Sequence, residues 1–354
     1  MNRHDIALQK LKKGTVIPAT PLALKDDRSF NENGLRLLMR YYLNSGVGGI
    51  ATAVHTTQFE IRRPEINLYK PVLKTVVEEI ARFEEENDIV IVRVAGVCGN
   101  TEQAVREAKL AKDYGYDAVL LSPGGLSSLS EDDLLSRTEA VAAVMPVIGF
   151  YLQPSVGGRI FTYSYWERLC AIPNVVAIKC ASFNRYQTLD VIRAVGLSKQ
   201  DIALYTGNDD NIVVDLLTQY EIDRNGTPVK VGFRGGLLGH WSVWTKTVVS
   251  MFDRIMAEKE NTTVPAELLT LAAAVTDANS ALFDTAHSFK GCIAGIHEVL
   301  RRQGLMENIL CLNPDETLSP GQAEEIDRVY RAYPFLNDDA FVQAHLSEWK
   351  QSLQ

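Results

Sequence analysis

The sequence predicts an α/β fold, a (β/α)8 TIM barrel with a C-terminal helical extension, and three observations carry that prediction. Eight short runs rich in apolar and β-branched residues lie at 15–20, 49–55, 89–96, 118–123, 147–152, 175–180, 202–207 and 229–235. Stretches of helical periodicity alternate with them, among others at 35–43, 71–85, 102–114, 131–144 and 184–195. No GxGxxG follows the first run, and nothing interrupts the alternation. Near-continuous apolar strands separated by helices mark a parallel sheet covered on both faces. Eight such units fit a closed barrel better than an open doubly wound sheet.

Taken in order, the first 13 residues are polar and basic and lack the apolar core of a signal peptide. The repeating units then run to about residue 262, so 1–262 is expected to be the barrel. Within it, 221–228 carries turn residues around Asn225-Gly226 and reads as a loop before the eighth strand. From 263 to 354 only helical patterns remain, at 266–281, 288–303, 320–331 and 340–352, which predicts a helical appendage packed on the barrel.

Composition narrows the function classes. The 354 residues are 46% hydrophobic and 23% charged, which is ordinary for a packed globular chain. Thirty-six Lys and Arg against 44 Asp and Glu leave a net charge of −8, against the basic footprint of a nucleic-acid or membrane-surface binder. No run approaches the roughly 18 apolar residues of a membrane span, and a cytoplasmic protein is expected. The five cysteines are scattered without CxxC or Cys/His spacing, so neither a disulfide framework nor a metal site is expected.

Reacting groups in such barrels sit at the carboxyl ends of strands. Alternation along 175–180 places Val175, Ala177 and Lys179 on one face, predicted to be the lumen. Desolvation there lowers the pKa of the amine, and a neutral amine forms a Schiff base with a ketone. On the preceding strand Val147, Gly149 and Tyr151 share a face, so a phenol is expected beside Lys179, positioned to move protons.

The segments GVGGIATAVHTTQFE (46–60), VAGVCGNTEQAVREAKLAKDYGYDAVLLSP (94–123), VIGFYLQP (147–154), NVVAIKCAS (174–182) and LYTGNDD (204–210) resemble the dihydrodipicolinate synthase and N-acetylneuraminate lyase family. By that resemblance Lys179 is the Schiff-base lysine and Tyr151 the proton-relay phenol, polarised by Thr56. Thr56 and Thr57 fall on the pair that binds the 2-oxo acid carboxylate. Gly207 and Asn208 fall on the loop facing the imine. The resemblance implies a small 2-oxo acid and an aldehyde as reactants, no cofactor, and a homo-oligomer, either a dimer or a tetramer of two dimers.

Departures from the family pattern bear on the substrate. His55 and Gln58 replace two glycines around the Thr-Thr pair and are expected to place polar atoms at the carboxylate end. Pro123 is followed by Gly124-Gly125 where true synthases have a tyrosine pair, and the arginine that holds aspartate semialdehyde has no match, Arg159 lying three residues late. Lysine-biosynthetic chemistry is therefore disfavoured. Arg159, Arg234 and His240 are candidates to grip the distal part of a substrate. The plain alternatives stay open: a salt bridge across the barrel mouth for Arg234, and a hydrogen-bonded strand-end histidine for His55. The expected reaction is reversible aldol cleavage, or dehydration, of a 4-hydroxy-2-oxo acid. The rival is a barrel that binds a keto acid or sugar acid without turnover.

Overall fold

A computed structural model describes residues 1–353. Eight parallel strands form the barrel: β1 (Val16–Pro18), β2 (Gly49–Thr52), β3 (Val92–Val97), β4 (Ala118–Leu121), β5 (Val147–Leu152), β6 (Val175–Ala181), β7 (Ala203–Thr206) and, after a hairpin of β8 (Tyr220–Arg224) with β9 (Thr227–Val231), β10 (Phe233–Leu238). Their order is β1-β10-β7-β6-β5-β4-β3-β2. The ring closes where Ala19 bridges Ala51 and the Thr20 amide donates to Ala51 O at 2.8 Å. Helices α1 (Arg3–Lys13), α2 (Glu32–Ser45), α3 (Tyr69–Asn87), α4 (Thr101–Asp113), α5 (Glu131–Ala142), α6 (Tyr163–Leu169), α7 (Arg185–Leu197), α8 (Ile212–Leu217) and α9 (Thr245–Glu258) accompany them. Asn31, Asn100, Ser130, Thr162 and Asn184 start five of these helices by accepting a bond from the third residue of the helix, which satisfies an otherwise orphaned amide.

One correction concerns the barrel, and its first 13 residues add an element of their own. Asn2 and Asp5 make a capping box that starts α1, and its apolar side, Ala7 and Leu11, plugs the amino end of the barrel among Ile17, Val92 and Tyr205. Only two apolar positions of that helix are buried, which is why its sequence reads as polar. The segment 221–228 is not a loop, and the eighth barrel strand does not begin at 229. Asn225 and Gly226 both have positive φ, 53° and 83°, and turn an antiparallel hairpin whose arms end at Val231. Barrel pairing resumes only at Phe233.

Beyond residue 263 lie α10 (Glu267–Leu282), α11 (Cys292–Arg302), α12 (Gln322–Ala332) and α13 (Asp339–Gln351). One buried apolar cluster runs from the barrel's helix layer into them, joining Leu38 and Tyr41 to Val275, Val299, Val329 and Trp349. At its centre Tyr41 Oη donates to Asp338 Oδ2 at 2.7 Å and accepts from the Thr245 amide at 2.7 Å. Asp338 also accepts from the Lys246 amide and from Gln303 Nε2, so α2, α9, α11 and α13 meet on one carboxylate. Tyr41→Phe leaves the buried Thr245 amide unpaired and takes one donor from Asp338 Oδ2, which keeps the Lys246 amide, and should cost about 1–3 kcal/mol of stability in urea unfolding. An unchanged midpoint would show that this junction does not hold the helices.

Candidate active site

The carboxyl ends of the strands surround a cavity with an empty volume of about 660 Å³, open mouth included. Lys179, on β6, and Phe150, on β5, lie in its wall, with Nζ 4.5 Å from the centre of the Phe150 ring. The ring face attracts an ammonium but takes no proton from it. Burial pushes the Lys179 pKa below that of an ordinary lysine, and the charge of Asp209, on the loop after β7, opposes the shift. Burial in turn pushes the Asp209 carboxyl above the usual carboxylate range, with Lys179 opposing. Burial thus acts on both groups toward the uncharged form, and the charge of each opposes it in the other.

Opposite them, β2 ends in a 3-10 turn, His55–Thr57, which brings His55 and Thr56 to the cavity. Desolvation, with the charge of Lys179 adding to it, lowers the His55 pKa to about 4, so its imidazole is neutral at pH 7. The turn is held from behind: Arg62 donates to Ala53 O at 3.0 Å and to Gly96 O at 2.8 Å, and its Nε pairs with the buried Glu107. Gly207 also lines the cavity, and a Cβ there would sit 2.6 Å from Lys179 Cε and 2.9 Å from Ala181 Cβ.

Several predicted residues lie elsewhere. Tyr151 does not face the lumen. Strands β5 and β6 pair Val147 with Val175 but Ile148 with Ala177, which leaves Val176 as an extra residue, a β-bulge. Without it, Tyr151 would stand opposite Lys179; with it, Phe150 does and Tyr151 pairs with Cys180. Tyr151 is fully buried in the helix layer, stacked on Trp166 at 5.0 Å, with its Oη accepting from the Phe161 amide at 3.5 Å. Arg234 stands at the amino end of β10, away from the cavity, paired with Asp201 at 2.7 Å and bonded to Lys12 O. The misplaced strand boundary is the reason it was expected at the mouth. Arg159 bonds to Leu129 O and lies over the Phe161 ring.

Others act at one remove. The Thr57 hydroxyl donates to Thr20 O at 2.7 Å, across the barrel's closing seam. Asn208 accepts from the Phe183 amide at 3.0 Å and donates to Asp215 at 2.9 Å. His240 is buried with its ring edge-on to Trp244, and its amide donates to Asp209 Oδ1 at 3.4 Å. Gln58 keeps the positive φ, 70°, that favours glycine, but its side chain caps the Leu312 amide and leaves the carboxylate end. Residue-type reasoning missed Phe150, Gln153 and Asp209 as lining residues, together with Phe283, Phe289, Cys292 and Ile296 from the C-terminal segment. Asp209, two residues beyond Gly207 at a strand end, had a signal; the C-terminal residues had none, because only packing brings α10 and α11 over the mouth. Among the described residues no cluster of His, Cys, Asp and Glu has the arrangement of a metal site, and no helix is long and apolar enough to cross a membrane.

This geometry is that of a known group of barrels. Residues 12–332 match the dihydrodipicolinate synthetase family. The chain belongs to that family. Among curated proteins it is 27% identical over 207 residues to a probable 5-dehydro-4-deoxyglucarate dehydratase of Streptomyces coelicolor, covering 56% of this chain and 59% of that one. It is 26% identical to a 4-hydroxy-tetrahydrodipicolinate synthase of Protochlamydia amoebophila, covering 57% and 63%. In both cases the match spans under two thirds of the relative's length. A longer match, 88% of this chain and 90% of the other at 21% identity, is to N-acetylneuraminate lyase 2 of Escherichia coli O6:H1. The fold is shared with dihydrodipicolinate synthase of Acinetobacter baumannii, solved with pyruvate, at a TM-score of 0.73 and 20% identity over 91% of this chain and 99% of that one.

The family barrel is thus present with a lysine, a carboxylate and a neutral imidazole around one cavity. Gly207→Ala should displace the Lys179 side chain, whose flexible arm is the nearest neighbour of the added Cβ, at 2.6 Å, ahead of the Ala181 Cβ at 2.9 Å. Covalent labelling of Lys179 by an amine reagent, read by peptide mapping, should slow by at least about tenfold, the scale expected when a reacting group is shifted by 1 Å or less. Equal labelling would show that the glycine is not needed there.

Proposed function

We propose that the protein is a lyase that forms a Schiff base between Lys179 and a 2-oxo acid of the pyruvate type. It would then make or break the carbon–carbon bond of a 4-hydroxy-2-oxo acid, or remove water from one. The observation that carries this reading is the desolvated amine of Lys179 at the carboxyl end of β6, in the wall of the cavity that the strand ends surround. Family membership supports it, since the relatives named above are a dehydratase, a synthase and a lyase.

In the condensation direction the Lys179 nitrogen adds to the keto carbon, and the carbinolamine expels its hydroxyl as water to leave an iminium. Loss of a proton from the adjacent carbon gives an enamine, whose carbon attacks the aldehyde. The new alkoxide takes a proton, and water then releases the product and restores the amine. Thr56, on the turn opposite, holds the substrate carboxylate, with neutral His55 beside it as a hydrogen-bonding partner. The proton transfers fall to Asp209, whose raised affinity suits it to take and return a proton near neutral pH. Tyr151, outside the cavity, has no part in this scheme, and its phenol is pushed up to about 12 by burial.

No arginine lines the cavity among the described residues, which speaks against aspartate semialdehyde as the aldehyde. A homo-oligomer and a cytoplasmic setting belong to this reading on resemblance alone.

Borohydride reduction in the presence of pyruvate should leave a covalent adduct on Lys179, seen by intact mass and peptide mapping. Trapping should speed up as pH rises, because the free amine is the nucleophile, with a midpoint below the ordinary lysine value of 10.5. No adduct with pyruvate or other small 2-oxo acids would return the protein to the non-catalytic binding barrel. Asp209→Asn should lower turnover by about 10²–10⁴-fold, whereas Tyr151→Phe should leave it within a few-fold. A folded Tyr151→Phe protein without turnover would give the relay back to the phenol.

A further inference from the structure

Much of the cavity's apolar wall is built by elements outside the strand ends. Phe183 follows β6, Phe283 follows α10, and Phe289 and Ile296 come from the turn before α11 and from α11 itself; Leu152 and Val156 complete the wall. Phe183 and Phe289 meet edge to face, ring centres 5.9 Å apart at 78°, the geometry in which aromatic groups pack favourably. A second hollow of about 430 Å³ shares Phe183, Phe283 and Phe289 with the first, so the rings stand between two spaces.

Both of these phenylalanines sit in the left-handed region, at φ 53° and 67°. That conformation costs a bulky residue about 1–2 kcal/mol and persists only where neighbours impose it. Here the neighbours are identifiable: the Phe183 amide donates to Asn208 Oδ1 at 3.0 Å, and the Phe289 amide to Asp284 O at 3.0 Å. The fold thus maintains two aromatic side chains over the cavity against a local penalty. Lys179 is the only Lys or Arg among the lining residues, and on the reading above its nitrogen is committed to the 2-oxo acid. A second carboxylate would lose its water here with no second cation among the lining residues to replace it.

We infer that the chamber walled by Phe183, Phe283, Phe289 and Ile296 is the subsite for the aldehyde half of the substrate, and that this half carries an aromatic group. The inference rests on the Schiff-base reading of Lys179 and adds the substrate class. With pyruvate and an aryl aldehyde, the enamine carbon bonds to the carbonyl carbon and the carbonyl oxygen takes a proton. The product is a 4-aryl-4-hydroxy-2-oxobutanoate, and loss of water gives the unsaturated acid.

The test is done on the full chain in two stages. Borohydride trapping with pyruvate alone examines Lys179, and its failure removes the Schiff-base reading and the inference with it. With trapping established, consumption of pyruvate is followed with benzaldehyde, glyceraldehyde or succinic semialdehyde as partner. The expected result is a kcat/KM for benzaldehyde at least about tenfold above either of the others, the scale of a filled apolar pocket. A lower or equal value on a protein that traps pyruvate overturns the aromatic subsite and leaves the Lys179 chemistry standing. Phe289→Gly removes one ring at a position where glycine relieves the backbone, so the variant should fold. It is expected to raise the KM for benzaldehyde about tenfold with a far smaller effect on that for pyruvate; equal effects on the two would point to a general loosening and count against the subsite.

Discussion

Everything at the carboxyl end of this barrel is arranged around one expensive act, the burial of the Lys179 amine. A lysine surrounded by Phe150, Ala181 and Gly207 loses its hydration, and the protein offers a ring face and a nearby carboxylate in return, not a tight ion pair. Desolvation therefore dominates and favours the neutral amine. The same desolvation acts on Asp209 and His55, in the direction of the uncharged form each time. Three groups that would all be charged or half-charged in water are driven toward neutrality in one cavity.

That arrangement depends on the register between β5 and β6. The single extra residue at Val176 rotates the relation of the two strands, so that a phenylalanine faces the amine and the neighbouring tyrosine joins the aromatic cluster of Phe161 and Trp166. One wall presents a phenylalanine, while a buried carboxyl, Asp209, whose Oδ1 accepts from the His240 amide, stands at another. The substrate-facing polarity thus moves around the barrel from the fifth strand to the loop after the seventh.

The C-terminal helices share in the same economy of water. Tied to the barrel through Asp338, they bring Phe283, Phe289 and Ile296 over the mouth and exclude solvent from the amine. At the opposite end, α1 closes the barrel with Ala7 and Leu11. The lumen is sealed below by a polar-looking helix and roofed above by an apolar one.

The sequence by itself determined the alternation of strands and helices, the lysine at the end of the sixth strand, and the Thr-Thr turn, because these depend on local periodicity and on residues adjacent in the chain. It also carried the family resemblance through the same short segments. Tertiary structure decided which of two consecutive aromatic residues, Phe150 or Tyr151, meets Lys179, since a bulge changes facing without changing composition. It decided that Arg234 belongs to the amino end of its strand, because the preceding hairpin shifted the boundary. It also decided that residues some hundred positions beyond Lys179 roof its cavity, a contact between segments distant in the chain that no local pattern encodes.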